Sequence, residues 1–120
     1  MSNVAGLFLV RPTGGAFVHD VAEAVDVIHV YGDVDIANSA ELEQTIRTSA
    51  RPGHAIVLDF SECRYVDSSV ITVLVRARKQ FGPLLRLVIS PTGAVRRVIE
   101  ICGLDAVFPI SETLEHASAA

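Results

Sequence analysis

The stretch that decides the fold is Ala55-Ile56-Val57-Leu58-Asp59-Phe60, an apolar run interrupted by a single aspartate. A short run of this kind is typical of a strand that is buried on both faces of a parallel sheet. Segments with apolar residues at helical spacing flank it, one opening at Asn38-Ser39 and one at Asp67-Ser68-Ser69. Because parallel strands are joined by helical crossovers, this order predicts an α/β domain with a mostly parallel sheet.

Two further strands are predicted upstream of this run. Phe17–Val21 and Val25–Tyr31 are separated by only three residues, which favours a hairpin. The block Gly32-Asp33-Val34-Asp35 is expected to end the second of these strands. The first helix is expected to begin at Asn38-Ser39, because Asn38 and Glu41 have the spacing of a capping box.

Downstream of the second helical segment, Leu85–Ile89 is predicted to be another central strand. The dipeptide Ser90-Pro91 then predicts a helix that is capped by serine and has proline at its first position. Gly103 is expected to end that helix in a left-handed conformation. Its buried stripe is predicted to be Val95, Val98, Ile99 and Cys102.

The C-terminal residues supply one more strand and one more helix. Val107-Phe108 is expected to form a short strand, and Ser111 to cap a helix that runs toward Ala119. Residues 1–15 end in a cluster of breakers and are expected to form an N-terminal extension, so that the domain covers residues 16–118. The predicted core is Ile56, Val57, Leu58, Val73, Leu74, Val88, Val98 and Ile99.

Composition argues against several classes of function. Half of the 120 residues are apolar and the mean hydropathy is +0.42, as expected for a chain that folds around a core. Fourteen acidic against ten basic residues give a net charge of −4, which argues against binding to a nucleic-acid backbone. The cysteines and histidines lack the spacing of a metal site, so no metal or other cofactor is expected. The apolar run at residues 6–10 is too short for a secretory signal or a membrane span, and we expect a cytoplasmic protein without membrane contact.

Asp67-Ser68-Ser69 is the segment best placed to carry chemistry. It joins a strand to a helix, where free backbone N–H groups and the positive end of the helix dipole meet. One interpretation is that Asp67 or a serine simply caps the helix. The other is that one hydroxyl accepts a phosphate, whose charge a helix N-terminus tolerates but a docked partner opposes.

Catalysis by the chain itself is not expected. Ser68 has neither a Gly-x-Ser-x-Gly elbow nor a nearby histidine in the sequence, and no phosphate-binding glycine loop is present. We therefore predict no enzymatic activity and no catalytic residue. Asp33 and Asp35 are either solvated turn carboxylates or the rim of a site at the strand ends.

The helix after Ser69 has a wider apolar arc than one buried stripe requires. Ile71 and Val75 lie beside the stripe that begins at Val70. Either this helix is packed on both flanks, or the additional residues form a contact patch for a partner. Three basic residues further along are either solvated or rim charges for an acidic partner: Arg76, Arg78 and Lys79.

The order of these motifs resembles the STAS domains, in particular the stand-alone bacterial anti-sigma factor antagonists. The resemblance covers about residues 16–116. It rests on four blocks in the family's order, namely Gly32-Asp33-Val34-Asp35, Ile56–Phe60, Val66–Ser69, and Ser90-Pro91 with Val95–Val98 and Cys102–Leu104. It implies a single domain with a mixed sheet of four or five strands and about four helices, mostly on one side.

The resemblance also implies a regulatory binding protein without catalytic activity. In such antagonists the serine after the aspartate, here Ser68, is phosphorylated by an anti-sigma factor that is also a serine kinase. The unphosphorylated form binds the anti-sigma factor and so releases a sigma factor; phosphorylation ends the binding, and a PP2C-type phosphatase reverses it. By the same likeness, Asp35 supports recognition by the kinase. The residues expected to bind the partner are Asp33, Asp35, Asp67, Ser69, Ile71, Thr72 and Val75.

The chain departs from the family pattern in two places. Val70 stands where family members usually have glycine, and a β-branched residue is expected to tighten the helix start. The N-terminal extension is longer than usual and is expected either to cover the edge of the sheet or to pair with another copy of the chain in a homodimer. These departures favour one alternative to the switch, a non-switching STAS scaffold or accessory subunit of a signalling or transport complex. A module that binds a small ligand such as a nucleotide is a third possibility, for which the sequence offers little support.

Overall fold

The chain folds as a mixed α/β sheet covered by helices, in agreement with the sequence pattern. The computed structural model describes residues 16–22 and 25–118. The predicted extension at residues 1–15 lies outside the described residues, as does Ala119 at the predicted end of the last helix. In the described ranges, no helix combines the length and the apolar character that crossing a membrane requires.

In the part of the chain that the structure describes, five strands follow one another in chain order. Strand β1 (Ala16–Ala22) pairs antiparallel with β2 (Val25–Val34), as expected for strands joined by a short connection. Strands β3 (Ala55–Val66), β4 (Leu85–Val88) and β5 (Ile110–Ser111) continue the sheet with parallel pairing. The mixed sheet predicted from the sequence is confirmed.

Within the same described ranges, four α-helices connect or follow the parallel strands. They are α1 (Ser39–Ser49), α2 (Ser68–Phe81), α3 (Ala94–Ile101) and α4 (Leu114–Ser118). The two longest helices, α1 and α2, follow β2 and β3, and they pack against each other. The number of helices agrees with the prediction.

The core has two parts because the central strand is buried on both faces. Successive residues of a strand face opposite sides of the sheet. Ile56 and Leu58 pack with α1, α2 and α3 in the larger cluster, whereas Val57 packs with Ala117 of α4 in the smaller one. All the predicted core residues are buried except Val98, which is partly buried against the larger cluster. Two-sided burial explains why this strand is apolar without alternation.

Strands β2 and β3 are longer than predicted, and their additional residues form the edge of the sheet where the site lies. β2 continues past Tyr31 and ends at Val34, inside the Gly-Asp-x-Asp block that is predicted to end it, where Val34 lies opposite Val66 of β3. A register shift between Gly32 and Asp33 accommodates this extension. Gly32 has a φ of 75°, which glycine adopts without a steric penalty. The turn signal in the sequence is thus an irregularity inside the strand.

Helix α3 begins later than predicted. Its first residue is Ala94, preceded by Gly93 with a φ of 101°, so Ser90-Pro91 lies in the connection before the helix. The Nε atom of Arg96 donates to the Ser90 carbonyl at 3.0 Å. The serine-proline signal is therefore not used as a cap, because the helix begins four residues after Ser90. Gly103 has the expected left-handed conformation, with a φ of 73°.

The last strand also begins later than predicted, at β5 rather than at Val107-Phe108. Residues 104–106 form a 3₁₀ turn. The carbonyl of Leu104 accepts the amide of Val107 at 3.0 Å and that of Phe108 at 2.9 Å. These bonds use the amides that a strand would need, and they place Phe108 in the core.

The cap of the last helix differs from the prediction as well. Ser111 belongs to β5, and the Thr113 hydroxyl instead accepts the amide of His116 at 3.2 Å. Cys102, predicted in the buried stripe of α3, is exposed. It follows the last residue of the helix, where the stripe no longer faces the sheet.

Candidate functional site

The C-terminal ends of β2 and β3 bring two sequence blocks together at one edge of the sheet. Val34 lies opposite Val66, and the amide of Asp67 donates to the Val34 carbonyl at 3.3 Å. The loop between β2 and α1 therefore borders the start of α2. The carboxyl ends of parallel strands are the usual place for binding sites in α/β proteins.

Asp67 caps α2 and attaches it to the loop between β2 and α1. Its Oδ1 atom accepts the Ser69 amide at 2.9 Å and also the Ser69 hydroxyl. Its Oδ2 atom accepts the amide of Ile36 at 3.2 Å. The predicted capping role is confirmed, and the hydroxyl of Ser68 takes no part in it.

These hydrogen bonds fix the charge of Asp67. Burial raises the pKa of its carboxyl, but hydrogen bonds from the Ser69 hydroxyl and from the amides of Ser69, Ile36 and Val70 together outweigh that effect. The pKa of Asp67 therefore lies below its ordinary value. The site holds a carboxylate at neutral pH.

The loop between β2 and α1 is held by its own polar side chains. Asn38 accepts the Asp35 amide through Oδ1 at 2.8 Å and donates from Nδ2 to the Asp33 carbonyl at 3.1 Å. The Oδ1 atom of Asp35 accepts the amide of Ala37 at 2.9 Å. Asn38 makes no side-chain cap to α1, so the predicted capping box with Glu41 is wrong. The preceding turn uses the asparagine side chain instead.

Ser68 is exposed in a groove of about 580 Å³ between α1 and α2. The α2 side of the groove is lined by Asp67, Ser68, Ser69, Thr72, Val73 and Arg76. The opposite side is lined by Ile36, Ser39, Ala40 and Glu43. Val70, the residue that departs from the family pattern, faces the core and is fully buried there, while Ser68 stays exposed.

One ion pair joins the two sides of the groove. Nη1 of Arg76 lies 3.3 Å from Oε1 of Glu43, and Oε2 of Glu43 lies 3.6 Å from Nη1 of Arg47. The side chains of both arginines are more than half exposed, whereas that of Glu43 is 18% exposed. A single carboxylate is thus shared between two cations. Arg76 lies on the wall of the groove, consistent with the rim position considered for it from the sequence.

The structure brings together only some of the residues predicted to bind a partner. Asp67, Ser69 and Thr72 line the groove with Ser68. Further along α2, Ile71 packs partly against the core and Val75 is 40% exposed. One flank of the wide apolar arc is therefore packed against the core, and another flank is exposed.

The two aspartates of the Gly-Asp-x-Asp block do not line the groove. Asp33 lies 3.4 Å from Nε of Arg64 in an exposed ion pair. Asp35 shapes the loop that carries Ile36. Among the described residues, no group of three or more histidine, cysteine, aspartate or glutamate side chains is arranged to hold a metal ion.

Sequence reasoning missed Ile36, which is 77% exposed beside the groove. Its amide is bound by Asp67, so the loop holds the side chain outward. The signal that could have found it is an isolated apolar residue in an otherwise polar connection between a strand and a helix. Such a residue has no packing role unless the loop folds back on the core.

The order of the sheet, its antiparallel first pair and the groove at the strand ends define a STAS-type α/β domain. The chain belongs to the STAS domain family, because the model of that family matches residues 17–117.

Similar proteins of this family include anti-sigma factor antagonists. The chain is 30% identical over 95 residues to the anti-sigma-F factor antagonist RsfB of Mycobacterium tuberculosis, covering 78% of both chains. An anti-sigma factor antagonist from Mycobacterium paratuberculosis superposes with a TM-score of 0.81 at 28% identity, over 91% of this chain and 95% of the other. The anti-sigma factor antagonist SpoIIAA in its unphosphorylated form superposes with a TM-score of 0.64 at 25% identity, over 84% and 91%.

Proposed function

We propose that this protein is an anti-sigma factor antagonist, a regulatory binding protein without catalytic activity that captures an anti-sigma factor and thereby releases a sigma factor. Membership of the STAS family and the antagonist names of its relatives support this role. The observation that carries the proposal is the exposed Ser68, which lies in a groove next to the Asp67 carboxylate. That carboxylate joins both sides of the groove.

The anti-sigma factor is proposed to dock on the face around Ser68. Ile36 and Thr72 line the groove there, and Val75 is exposed three residues beyond Thr72 on the same side of α2. Apolar residues among polar neighbours form the centre of many protein interfaces, where they contribute most of the binding energy. Asp35 contributes through the loop that it holds.

Phosphorylation of Ser68 is proposed to be the switch, with the anti-sigma factor itself as the serine kinase. The hydroxyl oxygen of Ser68 attacks the γ-phosphorus of ATP held by the kinase, ADP leaves, and the hydroxyl proton passes to a base of the kinase. Ser68 is exposed and its hydroxyl lies outside the Asp67 cap. No bond of that cap has to break before the transfer.

The phosphate is proposed to end the binding without unfolding the domain. Phosphoserine carries about −1.5 to −2 charges at neutral pH. The phosphate would be a third negative group in the groove, beside the carboxylates of Asp67 and Glu43. A docked partner would remove all three negative groups from water, and this desolvation would oppose binding. A PP2C-type phosphatase is proposed to reverse the switch by hydrolysing the ester with water, which releases inorganic phosphate and restores the hydroxyl.

The labelling experiment uses ATP and kinase-type anti-sigma factors from the source organism, with phosphate mapped by mass spectrometry. We expect one phosphate on Ser68 and none on the Ser68→Ala variant. Thr92→Ala removes a hydroxyl from a different groove and should be labelled like the parent. Equal labelling of Ser68→Ala would contradict the switch. Equal binding of the anti-sigma factor by Ser68→Ala and Ser68→Asp would identify a non-switching scaffold instead.

A further inference from the structure

The groove around Ser68 contains a single basic side chain among the described residues that line it. That side chain is Arg76 of α2. The other ionisable residues lining the groove are Asp67, at the start of α2, and Glu43 of α1. A phosphate on Ser68 would therefore meet two carboxylates and one guanidinium.

Arg76 is only weakly held by its present partner. Its guanidinium lies 3.3 Å from Glu43 and its side chain is 64% exposed, and ion pairs this exposed contribute little to stability. Glu43 keeps a cation if Arg76 moves away, because Arg47 lies 3.6 Å from its other oxygen. If Arg76 moves from Glu43 to the phosphate, the Glu43 carboxylate therefore still has Arg47 as its counter-charge.

Helix geometry places Arg76 on the same wall as Ser68. Residues 68, 72 and 76 are spaced four apart along α2, and all three line the groove. Ser68 and Arg76 are two turns apart, about 12 Å along the helix axis, so the guanidinium has to extend along the groove to reach a phosphate on Ser68. Side chains on a helix lean toward its N-terminus, which for Arg76 is the direction of Ser68. A guanidinium is long, permanently charged and able to bind a phosphate with two hydrogen bonds.

We propose that Arg76 is the residue that recognises the phosphorylated state: when Ser68 carries a phosphate, the guanidinium leaves Glu43 and pairs with the phosphate. This inference rests on the proposed function, since it supplies the counter-charge of the phosphoserine. The two forms of the protein then differ in the charge pairing between α1 and α2 as well as in the phosphate. The phosphatase and the anti-sigma factor would meet a different surface in each form.

The test uses the full chain with phosphoserine incorporated at position 68 during translation, so that it needs neither kinase nor partner. The second pKa of the phosphate is measured by ³¹P NMR as a function of pH. A nearby guanidinium favours the dianion, so Arg76→Gln should raise that pKa by about 0.3–0.7 unit, and added salt should shrink the difference. Glu43→Gln should lower the pKa, because it removes a negative charge and releases Arg76.

Lys79→Gln is the matched control, because Lys79 is an exposed cation on the same helix that does not line the groove. It should leave the phosphate pKa unchanged. The inference would be overturned if the phosphate had the same pKa in the parent and in Arg76→Gln, or if Lys79→Gln changed that pKa as much as Arg76→Gln does. Either result would still be compatible with phosphorylation of Ser68, which the labelling experiment tests separately. Absence of labelling together with an intact Arg76 effect would overturn the proposed function alone.

Discussion

Asp67 organises the site at the scale of single residues. One carboxylate accepts the amides of Ser69 and Ile36, so it begins α2 and holds the loop before α1 with the same group. Ser68 lies directly beside it with its hydroxyl outside this network. An exposed hydroxyl is thus carried at a helix start whose cap does not use it.

Replacing Asp67 by alanine should therefore lower the free energy of unfolding by about 1–2 kcal/mol at neutral pH, the usual cost of losing an N-cap. The pKa of Asp67 is lowered in the folded state, so its contribution is complete above the unfolded pKa of about 4 and is lost as the pH falls through the folded value. Urea denaturation of parent and Asp67→Ala should show a difference that shrinks below about pH 4. The Ser68→Ala variant should have the same free energy of unfolding as the parent. A cost of Asp67→Ala that does not change with pH would contradict the capping role of the Asp67 carboxylate.

A second prediction at this scale concerns the buried Asp26 at the start of β2, which is 0% exposed. Arg51 binds its two oxygens at 2.8 and 3.2 Å. Arg51→Ala should cost about 1.5–3 kcal/mol, because the buried carboxylate loses two charge-assisted hydrogen bonds while His54 stays 3.4 Å from it. Arg47→Ala, which removes an exposed partner of Glu43, should cost about 0.5 kcal/mol or less by the same denaturation assay. Equal costs for the two variants would show that burial of the carboxylate is not the cause.

Single residues could be predicted where the signal is local. An aspartate followed by two serines and an apolar helical stripe predicts a cap at Asp67 or a neighbouring serine, and the structure assigns it to Asp67. Asn38 carries a similar signal, yet its side chain bonds back to Asp35 and Asp33, and the sequence does not decide between these two uses. The exposure of Ile36 depends on where the loop lies, which no local pattern specifies.

At the scale of elements, α2 performs two tasks with different sides. One side packs into the larger core cluster through Val70, Val73, Leu74 and Ala77. Another side presents Ser68, Thr72 and Arg76 to the groove. The buried side thus anchors the helix that forms one wall of the groove.

Leu74→Ala should destabilise the protein by about 2–5 kcal/mol, since this side chain is fully buried and its loss leaves a cavity. Its neighbour Val75 is 40% exposed, so Val75→Ala should stay within about 0.5 kcal/mol of the parent. Thermal or urea unfolding distinguishes the two. A Leu74→Ala protein as stable as the parent would mean that the buried side of α2 is misassigned.

Element positions could be predicted where hydrophobic periodicity is strong, as in α2 and in the apolar part of β3. They could not be predicted where the chain does not use the signal that its residue types offer. Helix α3 begins at Ala94, directly after Gly93 with its positive φ, and Ser90-Pro91 stays in the connection, where Arg96 binds the Ser90 carbonyl. The position of β5 follows from the 3₁₀ turn at residues 104–106, whose amides are already bonded.

At the scale of the whole molecule, a sheet whose central strand is buried on both faces holds the groove at one edge. The order of strands and helices was sufficient to predict this architecture. Parallel strands need crossover connections, and each crossover helix can be recognised in the sequence from the helical spacing of its apolar residues. The approach of the two sequence blocks also follows from the parallel pairing of β2 with β3. The ion pair between Arg76 and Glu43 does not follow, since it depends on how α1 and α2 pack against each other.

The most direct measurement of the central claim compares the unmodified protein with the protein carrying phosphoserine at position 68. Binding of the kinase-type anti-sigma factor is measured by isothermal titration calorimetry, and thermal unfolding is recorded for both forms. We predict that the phosphate weakens binding by about tenfold or more while the unfolding midpoint stays the same, because Ser68 is exposed and outside the cap. Equal affinities, or a loss of binding that is accompanied by unfolding, would contradict the account.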